Sequence, residues 1–201
     1  IGLPALIVTM AIANIVTRMQ YVLTAGILSG AASKEFTQTV IYKIGGVIPS
    51  IVIYAAIVWP LTFFILNRSR FGKQLYLVGN NPVAARLSGV KVNKIKIISY
   101  VMSGMLAAFA GMLGAAYTVN ARCQIFDDYA YDSLIAVIIG GTAFSGGIGS
   151  YEGSIAGSLV MILLSNLLTT LQLTQPVRNL TQGVIMIVLL MLYNRSKSVR
   201  Q

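Results

Sequence analysis

Uninterrupted apolar runs close to the length of a membrane crossing recur along this chain, and no other feature limits its fold so strongly. Crossing about 30 Å of hydrocarbon takes about 20 apolar residues as a helix. Six stretches are candidates: Pro4 to Thr24, Val47 to Leu66, Ile97 to Val119, Ser133 to Ser145, Gly153 to Leu171 and Val177 to Tyr193. Backbone polar groups find no water in hydrocarbon, so only helices or closed barrels span it. These runs are apolar at consecutive positions, which excludes the every-second-residue alternation of a barrel. With 56% hydrophobic and 10% charged residues in 201, there is also too little polar surface to cover a soluble globule. The expectation is an all-α polytopic transmembrane bundle, residues 1–201 forming one membrane domain of about six spans. Ser133 to Ser145 is the exception in length. It runs into Gly140, Gly141, Gly146, Gly147 and Gly149 and reads as a broken or re-entrant helix with a tight turn. The chain starts at Ile1 without a methionine or a cleavable leader and reads as a fragment lacking its natural N-terminus.

Charge orients the spans. The net charge of +10 is concentrated between them, which speaks for topology and anionic lipid rather than nucleic acid. Residues 67–96 hold Arg68, Arg70, Lys73, Arg86, Lys91, Lys94 and Lys96 with no acid, and the tail adds Arg195, Lys197 and Arg200. Both are expected on the cytoplasmic side. The other side holds Lys34 with Glu35, Lys43, Arg122 against Asp127, Asp128 and Asp132, and Arg178. An even number of crossings puts the first residues and the tail together in the cytoplasm. With one cysteine, Cys123, and no histidine, the sequence offers neither a disulfide, a metal centre nor a catalytic pair.

Within 67–96 the segment around Asn80 is built like a short capped helix. Asn80 or Asn81 can cap its start, Pro82 suits its first position, Val83 to Ser88 favour helix, and Gly89 ends it. Val83 and Leu87 share one face, while Ala84, Ala85 and Ser88 make a small-residue patch beside Arg86. No nucleotide-binding loop accompanies it, since Gly72-Lys73 is followed by Gln74 and the glycine-rich GGTAFSGGIGS has no lysine.

The stretches LVGNNPVAARLSGVKVNKIK, SYVMSGMLAAFAGMLGAAYTV, AVIIGGTAFSGGIGSYEGSIAGSLV and PALIVTMAIANIVTRMQYVLT together resemble the permeases of the ribose, galactose and xylose branch of ABC importers. That resemblance implies an inner-membrane sugar permease in which Asn80, Asn81, Pro82, Ala84, Ala85, Arg86, Ser88, Gly89 and Val90 dock on a separate ATP-binding subunit. It also implies a periplasmic sugar-binding protein and a second permease copy or paralogue. This chain would bind no cofactor, ATP and Mg belonging to the ATPase partner.

Two polar stripes are candidates for the solute pathway: Asn14, Thr17 and Arg18 with Tyr21 and Met10 in the first span, and Ser158, Ser165, Asn166 and Thr169 with Ser154 in the fifth. Such groups are costly in lipid and belong inside the bundle, bonded to other helices or lining a hydroxyl- and amide-rich channel suited to a neutral sugar. In the third span Ser103, Ala107, Ala110, Gly111, Gly114 and Thr118 form a face suited to close helix packing, and Gly153 and Gly157 invite the same. The alternative, an ion-coupled secondary transporter, needs carboxylates within the spans. All five acids fall outside the runs or at their edges, and Asp127, Asp128 and Asp132, on the outer side, either meet the binding protein or simply solvate a loop.

Overall fold

The computed structural model describes residues 5–26, 30–44, 46, 48–119, 126–143 and 146–198. Pro4, Val47, Arg122, Ser145 and Arg200, which figure in the sequence reading, lie outside them, as do the side chains of Asp128, Arg195 and Lys197. In chain order the elements are α1 (Ala5–Leu23), α2 (Lys34–Ile41), β1 (Lys43–Ile44), β2 (Ile48–Pro49), α3 (Ser50–Asn67), α4 (Arg70–Asn80), α5 (Pro82–Leu87), α6 (Val92–Thr118), α7 (Asp127–Ile139), α8 (Tyr151–Thr170) and α9 (Gln175–Ser198). The all-α class holds, with one two-residue antiparallel hairpin among the described residues, pairing Lys43 with Pro49 and Ile44 with Ile48.

A helix occupies each of the six expected stretches. Among the described residues α3, α6 and α8 are long and apolar enough to cross a membrane. Helix α7 begins earlier than expected and stops at Ile139, because Gly140 and Gly141 follow it and Gly141 turns the chain at φ +83°. Its 13 residues reach about 20 Å at 1.5 Å per residue, short of a perpendicular crossing. The larger departure is in residues 67–96, which form no open loop. Ser69 Oγ accepts the Gly72 N–H at 3.1 Å and starts α4, then α5 follows, and α6 begins at Val92, well before the apolar run.

The chain divides into two compact units, residues 1–55 with 105–127 and residues 56–104 with 128–201. In the first, Val40 of α2 is fully buried, and Ser50 opens α3 by donating both its N–H (2.9 Å) and its hydroxyl (2.6 Å) to the Tyr42 carbonyl. Tyr54 and Phe109 meet edge-to-face at 6.3 Å. In the second, one apolar cluster joins Val78, Ala85, Val92 and Ile95, with Phe71, Leu75 and Val90 against it. Another joins Ile135, Ala136 and Met161, with Ile139, Leu164 and Ile185 around it. Most apolar side chains of α3, α6 and α8 face outward, as expected where lipid or a partner subunit is the solvent.

Candidate functional site

Helix α5 is short, and both its ends are fastened by its own sequence. Asn81 leaves the helix at φ −152°, ψ 103°, and its Oδ1 accepts the backbone N–H of Val83 (2.9 Å) and of Ala84 (3.1 Å), while Pro82 takes the first position. Asn81, not Asn80, is therefore the cap. At the other end Gly89 takes φ +80°, its N–H donates to the Arg86 carbonyl at 3.1 Å, and the Val90 N–H donates to the Ala85 carbonyl at 3.0 Å. This paired closure leaves few terminal carbonyls without a donor.

The face α5 presents differs from the small-residue patch expected. Ala85 is fully buried, packed among Val78 of α4 and Val92 and Ile95 of α6, so it anchors the helix and is closed to a partner. Helical spacing puts Val83 and Leu87 opposite it, and they are 67% and 85% exposed. Asn80, Pro82, Ala84, Arg86, Ser88 and Gly89 are exposed around them, and Val90 is half-buried. Val83 and Leu87, whose shared face the sequence spacing showed, are not among the docking residues the resemblance implied.

A second contact ties this surface to the glycine-rich turn. A Cβ placed on Gly79 would lie 2.6 Å from the Gly147 nitrogen, and one on Gly147 would lie 2.6 Å from both N and Cα of Asn80. Gly146 and Gly147 hold φ +84° and +78°, and the turn is closed by the Ala143 N–H donating to the Ile148 carbonyl at 2.8 Å. The backbone after α7 thus rests on the last turn of α4, next to the cap of α5.

From that turn α7 and α8 run antiparallel. A Cβ on Gly140 would strike the backbone of Gly153, and one on Gly157 would strike the Ala136 carbonyl, so glycine on both helices permits the contact. Ser150 caps α8 by accepting the Gly153 N–H at 3.0 Å, and exposed Glu152 sits in its first turn, where negative charge meets the positive helix end. Past the glycines, in the direction of the α8 C-terminus, the helices enclose a cleft of about 450 Å³. Tyr129, Asp132, Ser133 and Ala136 line it from α7, and Ser158, Met161, Ile162, Ser165 and Asn166 from α8. Three of the expected pathway residues are therefore brought together, while Thr169 is exposed outside the cleft, its hydroxyl donating to the Ser165 carbonyl at 2.7 Å. Asp132, read from sequence as a loop acid, stands instead on a helix beside them.

The α1 stripe belongs to the other unit. Asn14 donates to the Met10 carbonyl (3.0 Å), Thr17 to that of Ala13 (2.9 Å), and the Arg18 guanidinium lies 5.9 Å from the Tyr21 ring centroid. These bonds stay within α1. On α6 the small-residue face is packed only in part: Gly114 meets the Phe126 ring, whereas Gly111 has no neighbour within 4 Å among the described residues. Nor do three His, Cys, Asp or Glu side chains converge as a metal site among them.

Residues 1–190 match the family described as branched-chain amino acid transport system, permease component. The ribose import permease protein of Escherichia coli K12 is 33% identical over 150 residues, 75% of this chain and 47% of that protein. That of Bacillus subtilis 168 is 31% identical over 157 residues, 78% and 48% respectively. The galactose/methyl galactoside import permease protein of Haemophilus influenzae is 38% identical over 119 residues, 59% and 35%. The chain spans about half the length of the ribose permeases it matches. No solved structure matches it.

Proposed function

The chain belongs to the branched-chain amino acid transport system permease family, and from that premise we propose that it is the solute-conducting subunit of an ATP-driven sugar importer in a bacterial inner membrane. The choice of sugar over amino acid is supported by the relatives, which include import permeases for ribose and for galactose. The observation that carries the coupling role is α5: a helix capped at both ends, seated on buried Ala85, offering exposed Val83 and Leu87 beside Arg86.

In this reading the ATP-binding partner supplies ATP, Mg and hydrolysis and receives α5 in a groove, as amphipathic helices are received elsewhere. Force on so short and well-fastened a helix moves its seat rather than bending it. The seat is α4 and the start of α6, and Gly79 passes the displacement to the α7–α8 turn through Gly147. The helices then alternate between outward-open and inward-open arrangements, each nucleotide state favouring one. A periplasmic sugar-binding protein delivers the solute, and a second permease copy or paralogue completes the pore. The Lys/Arg excess of residues 67–96 and of the tail supports a cytoplasmic placement of both ends.

Proteoliposomes holding the permease, its ATP-binding subunit and the binding protein, with all ion gradients collapsed, test this. ATP-dependent uptake of labelled ribose or galactose is expected. Uptake that requires an ion gradient and ignores ATP would establish the secondary-transporter alternative instead.

A further inference from the structure

We propose that the α7–α8 cleft is a subsite for a neutral polyhydroxylated solute of monosaccharide size, with Asp132 and Asn166 reading its hydroxyl groups. This rests on the chain being a sugar permease and goes further by naming where, and by what groups, the solute is recognised.

The lining supplies the chemistry a sugar needs. A carboxylate accepts from two hydroxyls, and an amide such as Asn166 donates to one and accepts from another. Ser165 and Ser158 add hydroxyls, the latter holding its proton toward the Ile155 carbonyl at 2.7 Å and so keeping lone pairs for the solute. Tyr129 and Met161 supply apolar surface for the C–H faces of a ring. A volume of about 450 Å³ lies within the range of small-molecule sites, roughly 300–1,000 Å³.

The same lining argues against the amino acids in the family's description. A zwitterion needs a cation or a row of N–H donors for its carboxylate as well as an acid for its ammonium. Among the described residues no Lys or Arg lines this cleft. An anionic solute is disfavoured by Asp132 and the same lack of cations. The cleft also sits past the close contact of Gly140 with Gly153 and of Gly157 with Ala136, so a change in the angle of the hairpin would widen or narrow it while the glycine end acts as the fulcrum.

Two measurements in the full importer test the assignment. In ATP-driven proteoliposomes Asp132→Asn and Asn166→Ala are expected to lower ribose or galactose uptake at limiting sugar roughly ten- to hundredfold, the size of a lost hydrogen bond to a charged or buried group. They should also alter the preference between the two sugars, whereas Thr62→Val on α3 leaves both unchanged. Independently of transport, Ser165→Cys in a Cys123→Ala background should react with a small methanethiosulfonate, and ribose or galactose, but not leucine, should slow that reaction. If the unsubstituted importer moves leucine and neither sugar, the permease reading and the cleft assignment both fall. If it moves sugar, yet the Asp132 and Asn166 variants match Thr62→Val and the Ser165→Cys thiol is unprotected, the cleft assignment alone is overturned.

Discussion

Replacing Gly147 by alanine isolates the contact between the glycine turn and α4, with Gly89→Ala as its partner experiment. Both glycines hold nearly the same left-handed backbone, φ +78° and +80°, so both substitutions carry the same strain of about 1–2 kcal/mol. Their surroundings differ. A Cβ on Gly89 has nothing within 4 Å, whereas one on Gly147 lies 2.6 Å from N and Cα of Asn80 and must retreat until ordinary contact begins at 3.4 Å. Because the obstruction is backbone, no side chain can rotate away, and the turn must lift off α4. Such overpacking costs about 1–3 kcal/mol more. The displaced atoms belong to the residue before the α5 cap, so coupling should suffer along with stability. Thermal unfolding in detergent should therefore rank Gly147→Ala below Gly89→Ala. Sugar delivered per ATP hydrolysed in proteoliposomes should fall further for Gly147→Ala than for Gly89→Ala. Equal losses in both assays would refute the contact as a mechanical link.

Asn81→Ala removes the acceptor of two backbone N–H groups and should cost about 1 kcal/mol, read as faster proteolysis or hydrogen exchange confined to α5. Leu87→Asp, at a side chain 85% exposed, should leave unfolding unchanged and abolish co-purification of the ATP-binding subunit. Ala85→Trp should unfold the α4–α5–α6 cluster, since the residue is fully buried, while Ala84→Trp should block partner binding with thermal stability retained. Gly157→Leu should separate α7 from α8, because its side chain would occupy the place of the Ala136 carbonyl, and cross-linking between engineered cysteines on the two helices would report it.

Much of this was legible in the residues, and the reason is that the readable parts are local. Capping depends on neighbours in sequence, so Asn81, Pro82 and Gly89 announced α5 with its ends. Hydropathy over a window of residues announced α3, α6 and α8, whose apolar runs exceed what a soluble core element needs. Helix α4 was missed because its basic residues, Arg70 and Lys73, marked it as a segment between spans; its two glycines serve close approach, Gly72 to the end of α3 and Gly79 to Gly147. The apolar spacing of Phe71, Leu75 and Val78 was the signal that could have found it.

The sequence by itself determined the all-α membrane character, the capped helix near Asn81, and a glycine turn ahead of α8, because burial in lipid and backbone satisfaction act residue by residue. Only the tertiary structure decided that Ala85 faces inward and Leu87 outward, that Gly147 lies on Asn80, and that Asp132 shares a cleft with Ser165 and Asn166. Each of those is a meeting of residues distant in the chain, and such a meeting is set by which surfaces fit once the helices exist. A glycine offers the same absence of a side chain whether it is a hinge or a contact, and its partner decides which.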